Sequence, residues 1–180
     1  MRSYLLGGLL MAALASGSAW AALQVGAKAP EFTTQAALGG KEFTFSLAAA
    51  RKKGPVVLYF FPAAFTPGCT QEAHDFAEAS NQFAALGATV IGVTAGNANR
   101  VTEFSSVECR NKFAVAADPD QKVIKAYDAV LKRKPEWSDR TSYVIAPDGS
   151  ILMSYTNLDP GEHVARTLAA VKAWREAHQQ

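Results

Sequence analysis

The sequence predicts an α/β fold, a mixed central sheet flanked by helices on both faces. Three observations predict it. Val56–Phe61, VVLYFF, is a continuous apolar run of strand-forming residues, the pattern of a strand buried on both faces. Thr89–Thr94, TVIGVT, is a second such strand, and a segment of helical periodicity separates the two. Two closing strands are joined by Pro147-Asp148-Gly149-Ser150, a strong hairpin signal.

The remaining elements follow in chain order. Gly39-Gly40 marks a turn, and Lys41–Leu47, KEFTFSL, alternates as a short strand after it. Thr70–Leu86 reads as a helix with Ala73, Phe76, Phe83 and Ala84 on one face and Gly87 as its C-terminal cap. Asn99–Phe113 is a second predicted helix and Ala114–Ala117 a short strand. Asp118-Pro119-Asp120 opens a turn that caps a helix over Lys122–Tyr127. Thr141–Ala146 and Ile151–Thr156 form the hairpin. Pro160–His178 closes the chain as a helix, with Val164, Leu168, Val171 and Trp174 along one side. This is the element order of a thioredoxin-like α/β fold.

The first 21 residues stand outside that domain. MRSYLLGGLLMAALASGSAWA has a basic start at Arg2, an apolar stretch from Leu5 to Ala15 and an Ala19-Trp20-Ala21 exit. That is a secretory signal peptide with cleavage after Ala21, leaving one domain over residues 22–180. The alternative is an uncleaved anchor, but the apolar stretch is short for a span. A secreted, periplasmic location follows, with no membrane attachment after cleavage. The composition, 49% hydrophobic and 19% charged with a net charge of +2, is that of a globular domain. No basic block exceeds the three residues of Arg51-Lys52-Lys53 or Lys132-Arg133-Lys134, so a nucleic-acid surface is not expected.

Only two cysteines occur, Cys69 and Cys109. The first sits in FFPAAFTPGCT, where the buried strand gives way to the helix. Thr66 is a good N-cap, and Pro67 suits the first helical position. Cys69 then falls at N3, where backbone N–H groups lack helical partners and the macrodipole favours a thiolate, the reactive form. The turn makes a nucleophile. The alternative is an inert buried thiol, or one half of an ordinary disulfide.

Pro62, Thr66 and Cys69 form P-x-x-x-T-x-x-C, which resembles the active-site motif of the peroxiredoxins. FTPGCTQEAHDF, residues 65–76, resembles the bacterioferritin-comigratory or Q-type branch. VGAKAPEFTT, residues 25–34, resembles the family's opening segment. DRTSYVIAPDGSI, residues 139–151, resembles the segment carrying its active-site arginine, which falls on Arg140. There is no C-x-x-C.

The resemblance implies a thiol peroxidase that needs no metal, haem or flavin. Cys69 would attack a peroxide and become a sulfenic acid. Arg140, the Thr66 hydroxyl and first-turn N–H groups, that of Cys69 included, would hold the peroxide oxygens. Pro62 would shield the site, and Glu72 would be a supporting first-turn carboxylate. Many Q-type members carry a resolving cysteine five residues after the first, but here that position is His74. Cys109, in the helix predicted over residues 99–113, is the remaining candidate. The implied partners are a peroxide substrate and an external thiol or thioredoxin-like reductant, with the chain a monomer or dimer. Other readings are a peroxide sensor passing oxidation to a partner, or a binding protein with a permanent bridge. His74, His163 and His178 have no ligand spacing that predicts a metal site. Trp137, in the loop before Arg140, is a candidate for the pocket mouth.

Overall fold

A computed structural model describes residues 22–178, so the predicted signal peptide lies outside the described residues. Seven strands form one sheet in the order β2-β1-β5-β4-β3-β6-β7. The strands are β1 (Thr33–Leu38), β2 (Lys41–Ser46), β3 (Val56–Phe60), β4 (Thr89–Thr94), β5 (Ala114–Ala117), β6 (Thr141–Ile145) and β7 (Ile151–Thr156). The sheet is mixed. β3 pairs β4 and β4 pairs β5 in parallel, whereas β6 lies antiparallel to β3 and β7 to β6.

Helices α1 (Leu47–Arg51), α2 (Pro67–Ala85), α3 (Val101–Val107), α4 (Lys122–Ala126) and α5 (His163–Ala177) cover both faces. The strand alternation sorts them. Val56, Leu58 and Phe60 of β3 point to one face and pack with Leu47, Ala50, Val123 and Ile124 of α1 and α4. Val57 and Tyr59 point to the other, with Ala73 and Phe76 of α2, Phe104 of α3 and Val171 of α5. The predicted fold class is therefore the observed one.

Three local expectations change. First, β1, TTQAAL, is a strand that no apolar alternation announces, and its pairing with β2 and β5 makes it one. Second, the strand predicted through Leu47 ends at Ser46, whose hydroxyl accepts from the Ala49 N–H at 3.3 Å and starts α1. Third, the helix predicted over residues 99–113 is a 3-10 turn over Ala98–Arg100 followed by α3, which stops at Val107. Cys109 is thus in a turn, not in a helix. Its N–H still reaches back to Phe104 O at 3.1 Å, and the chain then turns through Arg110 and Asn111, both with positive φ. No glycine or proline announces that stop.

Elsewhere the expectations differ by a residue or two. Asp118 caps α4 as predicted, its carboxylate accepting from the N–H groups of Lys122, Val123 and Ile124 at 2.8–3.0 Å. The final helix begins with a 3-10 turn over Pro160–Glu162. Of its predicted apolar side only Val171 is fully buried. Ala84, predicted on the inner face of α2, is exposed.

Candidate active site

The site forms where β3 ends and α2 begins, beside the first residues of β6. The connection between β3 and α2 is pinned to the end of β4. Phe61 N–H donates to Val93 O, Ala64 N–H donates to Gly96 O, and Asn97 Nδ2 donates to Ala64 O. The approach at Gly96 is close enough that a Cβ there would sit 2.3 Å from Pro62 O, so only glycine fits. Pro62 is buried in this turn, and its carbonyl accepts from Thr94 Oγ1. Phe65 takes a positive φ of 64°, its ring edge-on to Phe104 and beneath the Arg100 guanidinium.

Thr66 is the N-cap residue of α2, with Pro67 at the first helical position. Its hydroxyl makes no cap to the helix and donates instead to Ala63 O at 3.1 Å. Cys69 follows at N3 and is 1% exposed. Its backbone N–H donates to Thr66 O at 3.0 Å, so this donor, expected to be free, has a partner. The two cysteines are unpaired thiols, both buried.

Arg140, at the entrance to β6, is the second component. It is 4% exposed and spread over three acceptors. Nη2 donates to Cys69 Sγ at 3.5 Å, Nη1 pairs with Glu72 Oε2, and Nε donates to Leu158 O at 2.8 Å. Burial works against its charge, but Glu72 and Cys69 more than offset this and raise its pKa above the ordinary value. Glu72, the third component, is fully buried. It lies beyond the first turn of α2, so its role is not that of a first-turn carboxylate. Burial pushes its pKa up to about 8 against the pull of Arg140.

Two buried side chains that no sequence signal selects complete the arrangement. His163, the first residue of α5, lies with Nδ1 3.7 Å from Glu72 Oε1 and 2.8 Å from Ser142 Oγ. Burial lowers its pKa to about 4, so it is neutral. Tyr59 of β3 lies stacked on Phe76 at 4.4 Å, in the room that Gly92 leaves beside it. Among the described residues its hydroxyl has no hydrogen-bond partner. Burial, and then the neighbouring Cys109, Glu72 and Cys69, raise its pKa well above the usual value.

Cys109 shares this core with Cys69 but comes from the turn after α3. Burial, and next to it the Glu108 carboxylate, hold its thiol well above the usual range, so it is protonated at neutral pH. That turn is tied to the outside of α2 by His74–Glu108 at 2.7 Å and by Arg110–Glu78 at 3.3 Å. His74 is therefore a partner of Glu108. Trp137 packs under Lys134 Nζ, 3.2 Å from the ring centre, within its own loop. His178 stacks on Trp174.

A buried thiol at a helix start, held by an arginine from a neighbouring strand, on a seven-stranded mixed sheet, defines a class of thiol-dependent oxidoreductases. Residues 25–154 match the AhpC/TSA family, and the chain belongs to that family. It is a peroxidase-type oxidoreductase of the peroxiredoxin Q/Bcp branch. It is 30% identical over 161 residues to peroxiredoxin Bcp of Bacillus subtilis, covering 86% of this chain and 98% of that one. It is 31% identical over 150 residues to the chloroplastic peroxiredoxin Q of Oryza sativa subsp. japonica, covering 82% of this chain and 66% of that one. Its fold is similar to the crystal structure of peroxidoxin BcpB from Mycobacterium tuberculosis. There the TM-score is 0.75 and the identity 27%, over 84% of this chain and 97% of the other.

Proposed function

We propose that the chain reduces hydrogen peroxide and small organic hydroperoxides, with Cys69 as the peroxidatic nucleophile and Cys109 as the resolving thiol. The single observation that carries the first half is the charged donor at the buried sulfur, Arg140 Nη2 at 3.5 Å from Cys69 Sγ. The thiolate attacks one peroxide oxygen. The S–O bond forms with the sulfur's electron pair, the O–O bond breaks, and the pair leaves on the departing oxygen. Arg140 meets the charge at both ends of that change, holding the thiolate before it and the departing oxygen during it. Pro62 and the buried rings of Tyr59, Phe61 and Phe104, which share the core with Cys69, keep bulk water away. Thr66 fixes the turn that carries the sulfur.

The division of labour between the cysteines follows from their surroundings. Burial and Glu108 hold Cys109 protonated, so it is a poor first nucleophile. Its part comes second: its sulfur attacks the Cys69 sulfenic acid, a disulfide forms and water leaves. A disulfide needs Cα atoms within about 7 Å of each other, and both sulfurs are enclosed. The turn over residues 108–111 is the piece that yields. It carries two side-chain-bearing residues in the left-handed region, each costing about 1–2 kcal/mol, and beyond the packing of Cys109 in the core it is tied to α2 by two surface ion pairs. An external thiol or thioredoxin-like reductant then reopens the disulfide.

The test is reduced protein given one equivalent of hydrogen peroxide, followed by non-reducing peptide mass spectrometry. A Cys69–Cys109 peptide is expected. Cys69 trapped as sulfenic or sulfinic acid with Cys109 untouched would remove the resolving role. Normal turnover by Cys109→Ser with a dithiol reductant would do the same.

The proposal extends to location. Cleavage after Ala21 and export to the periplasm fit a fold that takes hold of the chain at Leu23, whose N–H donates to Tyr143 Oη at 3.1 Å. N-terminal sequencing of protein from a periplasmic extract should begin at Ala22; an intact Met1 there would overturn this.

A further inference from the structure

The buried site holds one cation, Arg140, and two groups that can be anions, Cys69 and Glu72. Glu72 uses only one oxygen on Arg140. Its other oxygen, Oε1, has no hydrogen-bond partner among the described residues and faces His163 Nδ1 at 3.7 Å. The state of that imidazole is fixed by its neighbours. Nε2 lies 2.9 Å from the Asn157 carbonyl, which can only accept, so Nε2 carries the ring proton. Nδ1 is then a lone pair that accepts from the Ser142 hydroxyl at 2.8 Å. Nδ1 therefore turns no hydrogen toward Oε1, and its lone pair is already taken by Ser142. An ionised Oε1 would be a buried charge with no donor facing it, so the proton of Glu72 belongs on Oε1.

The charge count then has a consequence. With Cys69 as a thiolate and Glu72 protonated, Arg140 has one anion and the site is neutral. When the thiolate becomes a sulfenic acid, that anion is gone and Arg140 is left as a buried, uncompensated cation, an expensive state. An ionised Glu72 restores the balance.

We propose that Glu72 is the internal proton source of the peroxide step, and that His163 is the positioning residue that keeps its proton on Oε1. The inference rests on Cys69 being the peroxidatic cysteine. The atoms balance as follows. Thiolate and peroxide give sulfenic acid and a hydroxide or alkoxide; sulfur is oxidised by two electrons and the peroxide reduced by two. The leaving hydroxide or alkoxide takes a proton from the Arg140 guanidinium that holds it, and Glu72 reprotonates Arg140, giving water or an alcohol and a Glu72 carboxylate paired with Arg140. Glu72 acts through Arg140 and does not itself touch the peroxide. The carboxyl pKa of about 8 fits a proton held at neutral pH. The charged and titratable groups around the pair are Arg140 just before β6, Tyr59 from β3, Tyr155 from β7, Cys69 and Asp75 from α2, and Asp159 and Arg166 beside His163. Reduction of the Cys69–Cys109 disulfide returns the proton to Glu72.

The experiment is infrared difference spectroscopy of the full chain, reduced against oxidised with one equivalent of hydrogen peroxide at pH 7. Proton uptake is followed in parallel by an indicator dye in weak buffer. Oxidation should remove one protonated-carboxyl C=O band and take up little or no proton. In Glu72→Gln the band should be missing from the start, and uptake should rise to one proton per oxidised Cys69. His163→Phe, which also presents no donor to Oε1, should shift the band but keep it, and His163→Gln, whose amide nitrogen can donate to Oε1, should weaken or remove it. A wild-type spectrum with no protonated-carboxyl change on oxidation overturns the proposal even if Glu72→Gln fails to fold. Mass spectrometry on the same samples separates the two failures. Cys69 found unoxidised sinks the peroxidatic assignment; Cys69 oxidised without a carboxyl change sinks only the proton source.

Discussion

Replacing Arg140 by lysine keeps the charge and removes the geometry. Arg140 reaches three acceptors from one planar group: Glu72, Cys69 Sγ and the Leu158 carbonyl. A lysine ammonium is a single donor atom and cannot span them. Without the fork that the Leu158 carbonyl anchors, the ammonium is not held at the position of Nη2, and the sulfur loses its aligned charged hydrogen bond. Such a bond is worth about 1.5–3 kcal/mol. At about 1.4 kcal/mol per factor of ten, the second-order rate constant with peroxide should fall roughly 10- to 150-fold. Arg140→Met removes the charge as well. Two unit charges 3.5 Å apart at an effective dielectric near 20 interact by roughly 5 kcal/mol, which sets a ceiling of about three and a half orders of magnitude on the loss. The assay is competition between the reduced protein and a haem peroxidase for limiting hydrogen peroxide, after thermal melting shows both variants folded. A lysine variant within about threefold of wild type would mean that charge alone suffices, and the fork argument would fail.

Three further outcomes are expected. A Cβ at Gly68 would lie 3.1 Å from Arg140 Nη2, the atom that contacts Cys69, while helix propensity favours alanine by up to about 1 kcal/mol. Gly68→Ala should therefore melt no lower than wild type yet react with peroxide several-fold more slowly, and an unchanged rate constant would detach that contact from catalysis. Glu108→Gln breaks the His74 pair, worth about 0.2–1 kcal/mol at this exposure, and frees the turn that carries Cys109. It also removes the charge that, after burial, keeps the Cys109 thiol up. Disulfide formation should speed up by at least a few-fold in quenched mass spectrometry while the peroxide step stays constant; slower formation would mean that the clamp positions Cys109 for attack. Finally, Glu72 is raised by burial from 4.5 to about 8, so the native state holds a proton that the unfolded chain has released. Its contribution is present below pH 4.5 and is lost as pH rises toward 8. His163, lowered by burial from 6.5 to about 4, has the opposite sign and acts only below 6.5. Between pH 6.5 and 8 the reduced protein should lose on the order of 2 kcal/mol in urea unfolding, and Glu72→Gln should flatten that slope.

What the sequence made legible was whatever local physics encodes. VVLYFF could be read as a central strand because a strand covered on both faces needs no polar alternation. Thr66 and Pro67 announced the start of α2 and so placed Cys69 at N3. β1 was illegible because TTQAAL has no strand signature of its own and is held by Phe43, Thr44 and Ala116 on its neighbours. The stop before Cys109 was illegible for a related reason. The chain leaves the helix through Arg110 and Asn111 in left-handed conformations, which a glycine would have advertised and these residues do not. The family motif supplied Arg140, which composition and spacing alone would have left as an ordinary surface arginine.

The part of the site that stayed hidden is the part on which its electrostatics depends. Glu72 and His163 are separated by most of the fold and meet only because α5 packs against α2 behind β6. No periodicity links them, and neither residue type is unusual where it stands. Yet this contact decides whether Glu72 competes with Cys69 for Arg140 or withdraws in its favour. An ionised Glu72, paired directly with the guanidinium, would be the stronger claimant and would weaken the hold on the thiolate. A protonated one leaves Arg140 to the sulfur. In the proposed mechanism the turn at Thr66-Pro67 sets the nucleophile, and a proton stored behind it sets the counterion. A change at His163, which makes no hydrogen bond to the sulfur, should therefore alter how firmly Arg140 holds it.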